Sequence, residues 1–309
     1  MDDKPSRRHV LAVSYSQSGQ LARLVQFFLA PLRQRPDIVV EECVIAPREP
    51  FPFPWPFFRF FNLFPETVHL QPAPIVPPAL QRERYDAVII AYTVWFLSPS
   101  QPVTAFLQSD AAKNALRDTP VITLIGCRNM WLMAQEKMKT LLQNAGAHLV
   151  GNIVKIDQCT SAASFITTPL WMLTGQKKAA SWLPSAGIAE EELADGARFG
   201  ARLADALHSG NALDEQLFRG MGAVKINEKL IASEKIAHRS FYLWGKLLMA
   251  AGRISPLLRK ILLCFYIVFL VAMILTVVPL SAVLKRLFAP LLRSRTREQK
   301  AYYSAPSGE

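Results

Sequence analysis

An α/β fold, a doubly wound parallel sheet of five strands with helices on both faces, is predicted by three observations. Five short apolar runs, at 9–15, 38–45, 85–95, 119–127 and 148–157, alternate with helical patterns along the chain. Each run is nearly continuously apolar, as strands buried on both faces are, where a half-exposed strand would alternate. A hydrophobic content of 51% over 309 residues is ample for a core of that size.

The elements justify themselves in order. Residues 9–15 lead through a Ser/Gln/Gly turn into an amphipathic helix at 20–32, and the second strand, 38–45, is followed by an aromatic and proline-rich insertion within 50–80. The third strand precedes a helical pattern at 102–114, the fourth one at 133–145, and the fifth is followed by an insertion and then a helix at 189–208. This places an α/β domain at 1–210, an amphipathic helical linker at 211–258, a membrane-anchoring helix at 259–286 and a basic, disordered tail at 287–309.

The anchor follows from residues 261–284, which carry no charged side chain over 24 positions. As a helix this run would be about 36 Å long, against a hydrocarbon core of about 30 Å. Arg259, Lys260, Lys285 and Arg286 bracket it, so the positive-inside rule leaves its orientation open, and Pro279 allows a re-entrant path as well as a crossing. Phe241, Tyr242 and Trp244, followed by Lys246, suit a helix lying at the membrane surface or one packed on the body.

Charge and cysteine content exclude other classes. Of 35 Lys and Arg, ten lie between Lys246 and Lys300 with one acid, Glu298, among them, which leaves the first 245 residues nearly balanced. No phosphate-tracking stripe marks a nucleic-acid partner. The four cysteines, Cys43, Cys127, Cys159 and Cys264, are widely spaced and form no zinc or disulfide pattern, so no metal is expected. The amino-terminal stretch lacks the features of a cleaved leader, which puts the expected location at the cytoplasmic membrane with the domain facing the cytoplasm.

In a doubly wound sheet the ligand sits at the carboxyl ends of the strands, near the point where strand order reverses. Three loops fall there: 16–20, 93–100 and 126–131. Ser16, Gln17, Ser18, Gly19 and Gln20 stand between a strand and a helix start, where hydroxyls, backbone N–H groups and the helix dipole can hold a phosphate dianion; an ordinary helix N-terminus would look the same. In the second loop, Thr93 and Val94 lead to Trp95 and Phe96, which can cover the faces of a flat ring, beside Ser98. Gly126, Cys127, Arg128 and Asn129 form the third.

These motifs resemble those of flavodoxin-like proteins. Residues 16–21 are similar to the serine- and threonine-rich phosphate signature, and residues 93–98 to the flavin-ring loop. The resemblance implies FMN as cofactor. Leu21 replaces a hydroxyl residue of the signature, and Leu97 a glycine of the ring loop. A narrower resemblance is carried by "YSQSGQL" together with "FPFPWPFFRFFNLFPETVHL", which look like the dialkylresorcinol condensing enzymes. Those flavodoxin-like proteins work beside a ketosynthase in bacterial aryl-lipid biosynthesis. The family implies oxidation of a dialkylcyclohexanedione to a dialkylresorcinol, with a lipid-like dialkyl substrate and a ketosynthase partner; a homodimer is compatible with it.

The stretch 51–64 holds eight aromatics in fourteen residues. Pro50, Pro52, Pro54 and Pro56 forbid a regular helix over its first half and leave a short helix from Phe57 onward. Phe51, Phe53, Trp55, Phe57 and Phe58 are therefore expected to wall a site for alkyl chains, to touch lipid, or to cap the core. For proton transfer the sequence offers His69, Tyr92 and, as an oxyanion partner, Arg128. Two rival readings share the fold: an NAD(P)H-dependent quinone reductase, and a non-catalytic tethered partner or electron carrier.

Overall fold

The computed structural model describes residues 7–308 apart from 158, 160 and 179; the side chains of 161–165, 277–293 and 295 also lie outside the described residues. The second half of the 261–284 run, with Pro279, and the flanking Lys285 and Arg286 are among these side chains. In chain order the elements are β1 (Arg8–Ser14), α1 (Gln20–Arg33), β2 (Ile38–Val44), α2 (Phe57–Asn62), α3 (Phe64–Val68), β3 (Ala87–Tyr92), β4 (Val94–Trp95), β5 (Ser98–Pro99) and α4 (Gln101–Leu107). They continue with α5 (Asp110–Leu116), β6 (Pro120–Cys127), α6 (Leu132–Asn144), β7 (His148–Ile156), α7 (Ser161–Thr174), α8 (Glu190–Ala194), α9 (Gly196–His208), α10 (Glu228–Ile254) and α11 (Pro256–Ser304).

The main sheet is parallel throughout, in the order β2-β1-β3-β6-β7. Counted over its five strands, this is the 2-1-3-4-5 order of flavodoxin-like sheets, with the reversal between β1 and β3. Alternation along the strands feeds two cores. Val10, Ala12, Ile89 and Ile122 pack under α1 and α9, whereas Leu11, Val13, Ile90 and Ile125 pack under α4, α5 and α6.

The seam between α1 and α9 is close at backbone level. A Cβ on Gly200 would lie 1.8 Å from the Phe28 carbonyl oxygen, and one on Gly196 would lie 2.9 Å from Leu24 Cδ1. The helix pattern at 102–114 is in fact two helices, because Ser109 Oγ accepts from Ala112 N and caps α5.

After the domain, α10 and α11 turn back on each other across the single residue Ser255, whose hydroxyl accepts from Leu257 N, with Pro256 at the first helical position. Phe64 and Val68 of α3, Leu248 of α10 and Leu263 and Tyr266 of α11 close a third core. Arg259 fixes the start of α11 to the aromatic insertion: its guanidinium bonds both Glu66 carboxylate oxygens, at 2.6 and 2.9 Å, and reaches Asn62 Oδ1 at 2.9 Å.

The far end of α11 also meets the body, which differs from the disordered tail expected at 287–309. Lys300 pairs with Glu228 at 3.2 Å, Tyr302 OH donates to Glu136 at 2.7 Å, and Tyr303, Ser304 and Ser307 are buried. Ser307 Oγ accepts from the buried N–H of Asn152 on β7, an edge strand that would otherwise expose that donor. Ser307→Ala is expected to cost about 1–3 kcal/mol, the penalty for an orphaned buried N–H. Thermal unfolding and faster amide exchange at Asn152 would register it.

Candidate functional site

The three loops come together at the carboxyl edge of β1, β3 and β6. In the first, Ser16 is half-buried and its Oγ has no partner among the described residues. Ser18 and Gly19 are exposed; Gly19 has φ 80°, and nothing lies within 4 Å of where its Cβ would be. No side chain caps α1 and no acid lies in its first turn, so the positive end of its dipole has no side-chain acceptor.

Two residues of this loop do other work than the sequence suggests. The Gln20 amide donates to Ile188 O at 3.0 Å, so its side chain serves the fold and leaves only its backbone at the loop. Leu21, where the resemblance expects a phosphate-facing hydroxyl, is buried in the core against Gly126.

The second loop folds into the β4–β5 hairpin. Its two central residues, Phe96 and Leu97, have φ of 48° and 57°, the left-handed pair of a type I′ turn that usually takes Asn and Gly. Side chains of this size in that region cost of order 1–3 kcal/mol each. The turn is held by packing of Phe96 on Phe60 at 4.7 Å and by Lys137, whose Nζ donates to Ser98 Oγ at 2.7 Å and to Val68 O at 2.6 Å. Ser98 is thereby occupied, and burial pushes the Lys137 ammonium down to about 8. Thr93, Ser100 and Thr104 each keep a buried hydroxyl with no partner among the described residues.

In the third loop, Gly126 is buried against Leu21, and burial pushes the Cys127 thiol up, which makes it a poor nucleophile. Burial lowers the Arg128 guanidinium while the charge of Asp157 opposes that shift. Asn129 Oδ1 accepts from Met130 N and closes the loop on itself. The loop ends at α6, whose first turn is capped from a distance by Glu234: Oε1 accepts from Met133 N at 2.7 Å, while Oε2 has no partner among the described residues.

Burial raises the Glu234 carboxyl from 4.5 to about 7. The folded chain then holds a proton that the unfolded chain has lost between these values, so stability falls as pH rises from about 4.5 through about 7. Glu234→Gln should flatten that slope in unfolding titrations across the same window.

The aromatic insertion lies over the first two loops as a lid. Residues 50–56 form neither helix nor strand, as the proline spacing requires, and bend at Phe53 and Pro54 before α2 begins at Phe57. Trp55 is 3% exposed; its ring meets Phe51, Phe60 and Trp95, and its Nε1 donates to Gln17 Oε1 at 3.0 Å. Gln17 in turn donates to Pro52 O at 2.7 Å, so the lid is latched to the first loop. Tyr15, pushed up to about 12 by burial, completes the ring cluster with Phe51 and Trp95. Phe53 packs on Trp171 of α7, and Phe57 and Phe58 point outward, 43% and 52% exposed, away from any enclosed site.

The three proton-transfer candidates do not converge. Tyr92 is fully buried, its OH donates to Gln135 Oε1 at 2.7 Å, and burial raises it further out of reach of ordinary pH. It belongs to an internal polar chain in which Gln135 Nε2 donates to Thr123 Oγ1 and Thr123 bonds Asn152 Oδ1. His69 pairs through Nε2 with Tyr242 O and lines a separate cleft of about 420 Å³ with Lys137, His238 and Tyr242. Arg128 alone stands in a carboxyl-edge loop. Sequence reasoning missed Lys137 and Glu234, which no local motif marks.

No family model matches the chain, and no curated protein matches it. Among solved structures it is similar to a flavoprotein in complex with FMN from Lactobacillus acidophilus, at 15% identity and TM-score 0.38 over 48% of this chain and 93% of that one. It is also similar to a flavodoxin, WrbA-like protein from Agrobacterium tumefaciens, at 12% identity and TM-score 0.36 over 65% and 98% of the two chains. An oxidoreductase from Corynebacterium diphtheriae matches at 14% identity and TM-score 0.33 over 66% and 98%. The flavodoxin-like assignment rests on the strand order and not on these likenesses.

Proposed function

We propose that the chain is an FMN-dependent oxidoreductase that aromatises a hydrophobic cyclic dione, converting a dialkylcyclohexanedione to a dialkylresorcinol. The observation that carries the cofactor is the set of buried hydroxyls of Ser16, Thr93, Ser100 and Thr104, all without partners among the described residues, together with the N-terminus of α1, which no side chain caps. A phosphate on the first loop and a polar ring edge near Thr93 would satisfy donors and acceptors that a water-free interior leaves at a cost of about 1–3 kcal/mol each.

The substrate class is supported by the lid. Phe51, Trp55 and Trp95 offer an apolar wall next to the ring loop, and the lid continues through α2 to exposed Phe57 and Phe58 and, by way of Arg259, to the apolar helix α11. Two alkyl tails, at about 0.8 kcal/mol per buried methylene, would favour such a path over water. Bound FMN would supply a two-electron acceptor, taking the hydride removed from the ring while a proton leaves the carbon beside a carbonyl. The chain's part is to hold the phosphate at Ser16–Gln20, to cover the ring with the Trp95 hairpin and to exclude water with the lid.

The test is the visible spectrum of detergent-purified protein titrated with FMN, followed by anaerobic addition of a dialkylcyclohexane-1,3-dione. Shifted flavin bands that bleach with stoichiometric formation of the resorcinol are expected, with binding weakened in Ser16→Ala. Bleaching by NAD(P)H but not by the dione would favour a quinone reductase, and a chain that leaves the FMN spectrum unchanged would remove the enzyme reading.

A further inference from the structure

We infer that α11 is a one-sided, re-entrant membrane anchor: the chain enters lipid after Arg259, turns back within the bilayer and leaves on the side it entered, so that its tail and the α/β domain share one compartment. The argument is one of length. A Cβ on Gly252 would lie 3.0 Å from Arg259 Cδ, and Lys300 pairs with Glu228 at 3.2 Å. Positions 252 and 228 lie on α10 and are at most about 36 Å apart at 1.5 Å per residue. A straight helix from Arg259 to Lys300 would be about 61 Å long. At full extension the side chains and contacts at the two ends add about 22 Å, for a total of about 58 Å, which is still short of the straight path and excludes it. The chain must therefore fold back between these residues, and Pro279 and Pro290, which cannot complete the helical ladder, lie in that interval.

Lipid is the occupant that suits the exposed surface. The 256–276 stretch of α11 has mean hydropathy 2.4 with 11% of its most apolar window buried, the reverse of a core helix. Leu257, Phe265 and Val268 of α11, Leu247 of α10 and Phe57 and Phe58 of α2 all stand in solvent. Arg59, Lys246, Arg253 and Lys260 are exposed on the same three helices and complement anionic headgroups. A helix crossing the bilayer would leave Lys300, Tyr302 and Ser307 on the far side, with no route to Glu228, Glu136 and Asn152. The same surface places the lid, next in sequence to Phe57, at the lipid boundary.

The experiment compares Ala305→Cys, an exposed site in the tail, with Glu83→Cys, an exposed site on the domain, in a chain whose four native cysteines are replaced. A membrane-impermeant maleimide is applied to sealed inverted and right-side-out vesicles. Both sites are expected to label to the same extent in inverted vesicles and to be protected in right-side-out ones. Opposite labelling of the two would overturn the inference, as would complete release of the protein from membranes by alkaline carbonate. Should the cysteine-free chain misfold, trypsin applied to vesicles holding the unaltered protein gives the same readout: cleavage at Lys113 and at Lys300 from one side supports the inference, and from opposite sides sinks it. The topology stands or falls independently of the reaction the site performs.

Discussion

Gly200→Ala is expected to destabilise the domain by about 3 kcal/mol or more, at the upper end of what overpacking costs. The new methyl would fall 1.8 Å from the Phe28 carbonyl oxygen, which is backbone and cannot rotate away. Relief requires α9 to move off α1, and that opens the core of Phe28, Leu24, Phe199 and Leu203, all fully buried. Denaturant unfolding followed by tryptophan fluorescence should show a lower midpoint with an unchanged slope. A substitution within about 0.5 kcal/mol of neutral would show that the helix seam is looser than described.

Trp55→Ala should have the second large effect, on stability and on access together. Removing an indole that is 3% exposed and touches three other rings costs about 3–5 kcal/mol in a core. Its loss also frees Gln17 from one of the two bonds that latch the lid to the first loop. On the proposed FMN site, the cofactor should then enter and leave roughly tenfold faster, the rate equivalent of about 1.4 kcal/mol off the barrier. Stopped-flow flavin fluorescence measures this directly. Trp55→Phe separates the two roles, since it keeps a ring but loses the N–H; unchanged exchange kinetics in both variants would show that the lid does not gate the site.

The strands were legible in the sequence to within one to three residues because each is an apolar run bounded by turn residues. The predicted first helix, 20–32, falls one residue short of α1. Helix α7 reads in the sequence as an insertion, since SAASFITTPLWMLT carries no charge to mark a solvent face and has Pro169 in its middle. The loops of the site were legible because strand-to-helix turns at one sheet edge follow from the alternation alone.

What was not legible is contact across the chain. Gln20 turns to Ile188, 168 residues away, Glu234 caps α6 from 101 residues away, and Arg259 reaches Glu66 across 193. His69, Tyr92 and Arg128 fit a proton-transfer role by residue type, but only the packing shows that Tyr92 is sealed in and that His69 faces another cleft. The strained hairpin at Phe96 and Leu97 was equally hidden, because a rule of turn chemistry is broken there and the packing of Phe60 compensates for it.

The bond from Asn152 to Ser307 spans 155 residues. At about 5–20 residues per second, a ribosome needs roughly ten to thirty seconds to supply the serine after the strand has emerged. During that interval the Asn152 N–H on the edge of β7 is without its acceptor, while Val154 N two residues on already reaches Ala223 O, and the ladder edge is completed only when the tail arrives. Completion of this edge thus follows placement of the helix, and a nascent chain whose α11 is misrouted would keep one unpaired donor on β7.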